Sequence, residues 1–202
     1  MVLEKPTISW QDKRKKGARL EILTAAWSSA RELGIGSLTL RDVAERVGMR
    51  APSLYWHFAS KTALYDAMFE QAWAAYSAVQ EDLETRLPGS PRAALKLTAR
   101  TYFEFCAADP TRHQLMNQRS LPNFTPSPEA YAPAVQVLER LRARLALVGV
   151  TDEAGTDLYT AFVTGLVEQQ LANDPGGNRW ARLLDRVIDM YADEMRLPRD
   201  LE

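Results

Sequence analysis

Apolar residues recur at intervals of three and four along almost the whole chain, a spacing that fits helices and little else. Ile22, Leu23, Ala26, Ala30 and Leu33 make one such stripe, closed by Gly34. Leu40, Val43, Ala44 and Val47 make the next, closed by Gly48. Sustained apolar/polar alternation is missing, as are Asn-Gly and Asp-Gly hairpin turns. The pattern therefore predicts an all-α fold. Thr39 reads as an N-cap with Asp42 in the capping-box position, and Ser60 caps a long segment from Lys61 to about Leu87. Further helices are expected at about 91–108, 112–118, 128–148, 152–172 and 178–196. Pro110, Gly149 and Pro175-Gly176-Gly177 mark the breaks. Leu121 to Pro133, with four prolines, reads mainly as a loop.

A length of 202 residues suits one large domain, or a small domain joined to a larger one. No stretch approaches the ~20 apolar residues that span a bilayer. Met1 to Lys16 lacks the apolar core and small-residue cleavage site of a secretory signal, so a cytoplasmic protein without membrane contact is expected. A single cysteine, Cys106, excludes an intramolecular disulfide and a Cys-cluster zinc site. The two histidines, His57 and His113, form no metal-binding pair, and no Gly-rich phosphate loop is present; no metal or cofactor is expected. Catalysis is not expected either. Cys106 and His113 sit seven positions apart across Asp109-Pro110, and even an unbroken helix would separate them by ~10 Å. Flanked by Phe105 and Ala107, Cys106 reads as an inert buried thiol.

The net charge of −1 hides an asymmetry. Residues 1–61 hold 11 Lys and Arg against 6 Asp and Glu, whereas residues 62–202 hold 14 against 20. A basic first third on an acidic remainder suits an N-terminal piece that meets a polyanion.

The block from Leu38 to Lys61, LTLRDVAERVGMRAPSLYWHFASK, decides what that polyanion is. Its first helix, about 39–47, has one apolar face. Gly48 permits the positive φ of a sharp turn, completed by Met49 and Arg50. A second, short helix follows from about Ala51 to His57, with Pro52 in its first turn. On that stub only Leu54, with Phe58 just after it, looks like a core anchor. Ser53, Tyr55, Trp56 and His57 make a large aromatic and polar surface, which suits a major groove lined by phosphates. Tyr and Trp can stack on sugar or donate to phosphate; Ser, Arg and His can reach base edges. Lys61 adds its ammonium and the free N–H groups of the next helix.

The block resembles the DNA-binding region of the tetracycline-repressor (TetR) family of bacterial transcription regulators. The matching features are Leu33-Gly34, Leu38-Thr39-Leu40-Arg41, Val43-Ala44, Val47-Gly48, Pro52 through Phe58, Ser60-Lys61 and Ala63-Leu64, over roughly residues 18–68. The resemblance implies a DNA-binding role for Thr39, Arg41, Arg50, Ala51, Pro52, Ser53, Tyr55, Trp56, His57 and Lys61. Thr39, Tyr55 and Lys61 match phosphate-contacting positions and Arg41 a base-contacting one. Ala51 departs from relatives that carry a polar base-reading side chain there and offers only apolar contact, for instance to a thymine methyl. The implied organisation is a basic arm over 1–17, a helix-turn-helix domain over 18–62 and a larger helical domain over 63–202 for ligand binding and dimerisation. The implied function is a ligand-responsive repressor that binds a palindromic operator in double-stranded DNA as a homodimer and is released by a small, mostly apolar effector. A helical scaffold that keeps the fold without specific DNA binding is the alternative reading.

Two late stripes suit the dimer role. Leu158, Ala161, Phe162, Gly165, Leu166 and Gln169 make one; Trp180, Leu183, Leu184, Val187, Ile188, Tyr191 and Met195 make the other. By the resemblance, the last two helices supply a four-helix interface, with Ala161, Gly165, Leu184 and Ile188 in it. An effector cavity is expected to be walled by Trp73, Tyr76, Tyr102, Phe105, Cys106, Met116, Phe162 and Gln169.

Overall fold

The starts of six of the nine described α-helices are written in the residue that precedes them. Thr39 caps α2 (Leu40–Arg46) with a capping box shared with Asp42. Ser60, Ser90, Asp109, Ser127 and Asp152 each accept the backbone N–H three residues on. They open α4 (Lys61–Glu84), α5 (Pro91–Ala107), α6 (Pro110–Asn117), α7 (Pro128–Leu147) and α8 (Glu153–Asn173). The series is completed by α1 (Trp10–Leu33), α3 (Ala51–Tyr55) and α9 (Leu184–Glu194), with short 3₁₀ turns at Ile35–Ser37 and Ala181–Leu183. The computed structural model describes residues 10–119 and 121–198, and among them there is no strand. Of the expected basic arm, residues 1–9 lie outside the described residues. Residues 10–17 form the first turns of α1, with Lys13, Arg14, Lys15 and Lys16 exposed along them.

Three elements depart from expectation. The helix expected at 178–196 is a 3₁₀ turn at Ala181–Leu183 followed by α9 from Leu184 to Glu194. The helix expected at 128–148 is present as α7, capped by Ser127 and started by Pro128, so the loop read over Leu121 to Pro133 ends earlier. Pro133 then lies inside the helix, where it removes one backbone hydrogen bond. Burial of Ala130, Ala134 and Val137 in the core holds this turn helical despite that loss. The long fourth helix ends at Glu84, ahead of the expected Leu87.

The buried side chains fall into two clusters. One joins α1–α3 to α4 and continues into α6 and the first half of α7. The other joins α5, α8, α9 and the second half of α7. The core therefore does not break at residue 62: Leu64, Met68, Phe69 and Ala72 of α4 belong with Ile22, Ala26, Leu54 and Phe58 of the N-terminal head. Polar ties reinforce this joint. Trp27 Nε1 donates to Gln71 Oε1 at 2.8 Å, Tyr65 Oη donates to the Ile35 carbonyl at 2.6 Å, and Arg31 pairs with Asp109 at 2.6 Å. At the far end the buried Arg92 guanidinium holds the chain after α9, donating to the Leu197 and Pro198 carbonyls and to Asp193.

Candidate nucleic-acid interface and effector cavity

The head is a helix-turn-helix in which α2 and α3 meet at a tight turn. Gly48 makes that turn at φ +67°, a left-handed conformation that a side chain would strain. Leu54 and Phe58, 0% and 1% exposed, pin the short third helix to the core. Burying a side chain of that size stabilises by ~1.5–3 kcal/mol. The rest of the helix is thereby left free: Tyr55 is 53% exposed and Trp56 87% exposed. Arg41, Arg50, Pro52 and Ser53 are also exposed, beside the half-buried Ala51 and His57.

Several of these groups are committed within the chain. The Thr39 hydroxyl donates to Asp42 Oδ2 at 2.6 Å and accepts from the Asp42 N–H at 3.2 Å, so its one proton is used by the capping box. Lys61 Nζ donates to the Gly36 carbonyl at 3.0 Å and lies 5.3 Å from the Tyr65 ring, leaving two of its three donors. His57 Nδ1 is buried without a partner. The sequence reading missed Arg19. Its guanidinium sits 4.2 Å over the Phe58 ring and donates to the His57 carbonyl at 2.9 Å, closing the end of the third helix. The signal was available: Arg19 extends the stripe of Ile22 and Leu23 by one turn.

A cavity of about 320 Å³ opens where the two cores meet, between α4, α5, α6, α7 and α8. Of the eight expected wall residues, Trp73, Tyr76, Tyr102 and Met116 line it. Phe105, Cys106, Phe162 and Gln169 do not. Phe105 is held under the Arg112 guanidinium at 3.7 Å, Phe162 packs on the α5–α8–α9 core, and Gln169 is exposed and accepts from Asn173. Cys106 is sealed in the core, and burial pushes its thiol up to about 12, far from a reactive thiolate. The reading also missed the walls supplied by Gln80, Tyr131, Leu141, Tyr159 and Thr164. Burial likewise raises the phenols of Tyr76, Tyr102 and Tyr159, so these line the cavity as neutral hydroxyls.

One wall continues into a polar chain. Tyr102 Oη donates to Asn117 Oδ1 at 2.7 Å, and the Asn117 amide lies 3.0 Å from His113 Nδ1. The other ring nitrogen of the buried His113 meets Glu168 of α8 at 2.8 Å. Tyr102 and Asn117 line the cavity, and α6, which carries Asn117 and His113, starts at the Asp109 that Arg31 of α1 holds.

The late stripes divide differently from expectation. Leu184 and Ile188 are 1% and 0% exposed within the protomer, packed into the α5–α8–α9 core, so they are core and not interface. Ala161 and Gly165 are exposed on α8 beside half-buried Leu158 and Phe162, and Met190 of α9 is exposed too.

The profile of the bacterial regulatory proteins of the tetR family matches residues 22–68, which run from the first buried turn of α1 through the helix-turn-helix into α4. The helix-turn-helix head is thus similar in sequence to the DNA-binding region of that family. Over 49 residues, 24% of its length, this chain is 47% identical to the class A tetracycline repressor protein of transposon 1721 from Escherichia coli. Over 141 residues, 70% of this chain, it is 26% identical to an HTH-type transcriptional repressor of Mycobacterium tuberculosis. It spans 23% of the first and 51% of the second. The crystal structure of the Bacillus subtilis transcriptional regulator FadR in complex with stearoyl-CoA superposes with a TM-score of 0.67, at 16% identity, over 85% of this chain and 96% of that one. At that identity the likeness is one of fold. The sequence match thus lies in the head, and the all-helical body is matched in shape. No helix among the described residues is long and apolar enough to cross a membrane.

Proposed function

We propose that this protein is a transcriptional repressor that binds a palindromic operator as a homodimer and releases it when a small, mostly apolar molecule fills the cavity. The observation that carries the reading is the third helix: a stub fixed by Leu54 and Phe58 that turns Tyr55 and Trp56 outward beside a basic flank. Arg41, Arg50, Ser53 and His57 are assigned to bases, with Ala51 and Pro52 against the groove. Thr39, Tyr55 and Lys61 are assigned to phosphates, and Lys13 to Lys16 extend that contact along α1. Because the Thr39 hydroxyl and one Lys61 donor are already engaged, their share of affinity is smaller than that of the free basic side chains.

The exposed stripe of α8, with Ala161 and Gly165, and the outer face of α9 support a two-fold contact there. The long α4 starts at Lys61 beside the recognition helix and passes the cavity at Trp73 and Tyr76, which suits it to carry a tilt from one to the other. Such a protein works in the cytoplasm, against DNA. Electrophoretic retardation on DNA from upstream of its own reading frame tests the reading. A dimer-sized complex on a palindrome, absent for Trp56→Ala, is expected. Binding to random DNA with equal affinity would leave a helical scaffold with a basic surface.

A further inference from the structure

The cavity holds two buried polar atoms with nothing to bond. Gln80 is 2% exposed, and its Oε1 has no partner; the buried Trp73 Nε1 has none either. Both residues line the cavity. Leaving such atoms unpaired is costly, and a ligand that satisfies both recovers that cost. Gln80 is an acceptor and asks for a ligand donor. Trp73 is a donor only and asks for a ligand acceptor. Trp73, Tyr76 and Gln80 stand at i, i+3 and i+7, on one face of α4, with the two orphaned residues ~10 Å apart along the helix axis.

The remaining walls set shape and charge. Aromatic rings approach from four helices, with Tyr76 5.1 Å from Tyr102 and 6.5 Å from Trp73 in edge-on contacts. Such rings accommodate another flat ring well. Among the described residues, no acidic or basic side chain lines the cavity. Behind the wall, the buried Arg144 donates from Nη1 to Thr98 Oγ1 at 3.1 Å, and its nearest carboxylate, Glu84, stands 3.8 Å off and half exposed. An organic cation would gain a cation–π contact of ~0.5–2 kcal/mol. Against that, it would lose its hydration, meet no carboxylate and face a buried guanidinium. The cation loses this balance.

The geometry points to an uncharged, planar aromatic effector that lies along α4, donating a hydrogen bond to Gln80 Oε1 and accepting one from Trp73 Nε1. This deepens the regulatory reading and rests on it only for the word effector; binding itself does not depend on DNA. Acridone is a fitting probe, with one N–H and one carbonyl on a flat three-ring frame. N-methylacridone keeps the frame and the carbonyl but has no donor. The 10-methylacridinium ion keeps the frame and adds a charge.

Titration calorimetry with the full chain is expected to show acridone bound, N-methylacridone about tenfold weaker, and 10-methylacridinium weaker than either. Gln80→Leu is expected to bring acridone down to the level of N-methylacridone, and Trp73→Phe to weaken both by the same factor. Equal affinity of the wild type for acridone and N-methylacridone overturns the proposal. So does tighter binding of the cation, or no binding of any of the three. The three-ligand series on the wild type decides the matter even where a variant does not fold. An operator retardation assay with acridone separates the two claims. If acridone binds but the operator stays bound, the ligand chemistry holds and the regulatory reading fails.

Discussion

The N-terminal head and the cavity both display aromatic side chains, yet they are assembled over very different lengths of chain. In the head, eight consecutive residues from Ala51 to Phe58 supply the anchor, the exposed rings and the polar groups together. In the cavity, walls come from five helices between Trp73 and Thr164, and no two neighbouring helices would define it alone. The polar accounts differ as well. The head commits several donors internally, through the Thr39 capping box, the Lys61 bond to Gly36 and the Arg19 bond to His57, although its His57 Nδ1 is also unpaired. The cavity leaves Gln80 Oε1 and Trp73 Nε1 unpaired. On the proposed function, a surface preorganised for a rigid polymer and a space that waits for a small partner are the two ends of that contrast.

The late helices sharpen it first and with the largest effect. Ile188→Asp places a carboxylate in a fully buried site of the α5–α8–α9 core, at an expected cost of about 4 kcal/mol or more. Gly165→Glu lies on the exposed face of α8, where an added Cβ meets no atom within 4 Å. Circular dichroism is expected to find Ile188→Asp unfolded or molten and Gly165→Glu fully helical. Sedimentation is expected to find Gly165→Glu monomeric, with operator affinity lost along with the dimer. A folded Ile188→Asp, or a dimeric Gly165→Glu, would exchange the roles assigned to the two stripes.

The head offers the next largest effect. Trp56→Ala removes a side chain that the fold barely touches, so thermal stability should change by less than ~0.5 kcal/mol. Operator affinity should fall by at least ~1.4 kcal/mol, a factor of ten. Arg41→Ala should cost ~1–3 kcal/mol on the operator and much less on random DNA. Equal losses on both DNAs would move Arg41 to the backbone contacts. Replacing Lys13 and Lys15 by Ala should lower the slope of log affinity against log salt by ~1–2.

Legibility follows the same division. Capping residues, glycine stops and the three-four spacing are local, so the helix order and the turn at Gly48 could be read from the sequence. Leu54 and Phe58 as anchors, and Trp56 as exposed, were legible because a short helix has room for few alternatives. Leu184 and Ile188 were misplaced because an amphipathic stripe shows that a face is covered, without showing whether the cover is the same chain or another. Phe105 and Cys106 were misplaced for the same reason: one turn of α5 separates them from Tyr102, and that turn decides between cavity and core. Pro133 resembled a breaker because the burial that overrides it comes from residues far away in sequence.

The smallest effect concerns the joint between the two regions. Asp109 caps α6 and receives Arg31 from α1, so one carboxylate links the head to the element that carries Asn117 and His113. Burial works against its ionisation. The Arg31 hydrogen bond, the Arg112 N–H and the charges of both arginines outweigh burial, and the group sits below the ordinary carboxylate range. A depressed carboxylate contributes stability above its unfolded pKa and loses it as pH falls through the folded one. The pair is half exposed on the Arg31 side, so its share is below about 1 kcal/mol. Asn at position 109 retains capping ability while removing the charge. Asp109→Asn is therefore expected to lower the melting temperature by a few degrees at most at pH 7. The gap to the wild type should close below ~pH 4, where the wild-type carboxyl starts to take up its proton. A gap that stays constant down to pH 2 would mean that Asp109 acts through its cap alone, and that the charge pair does not join α1 to α6.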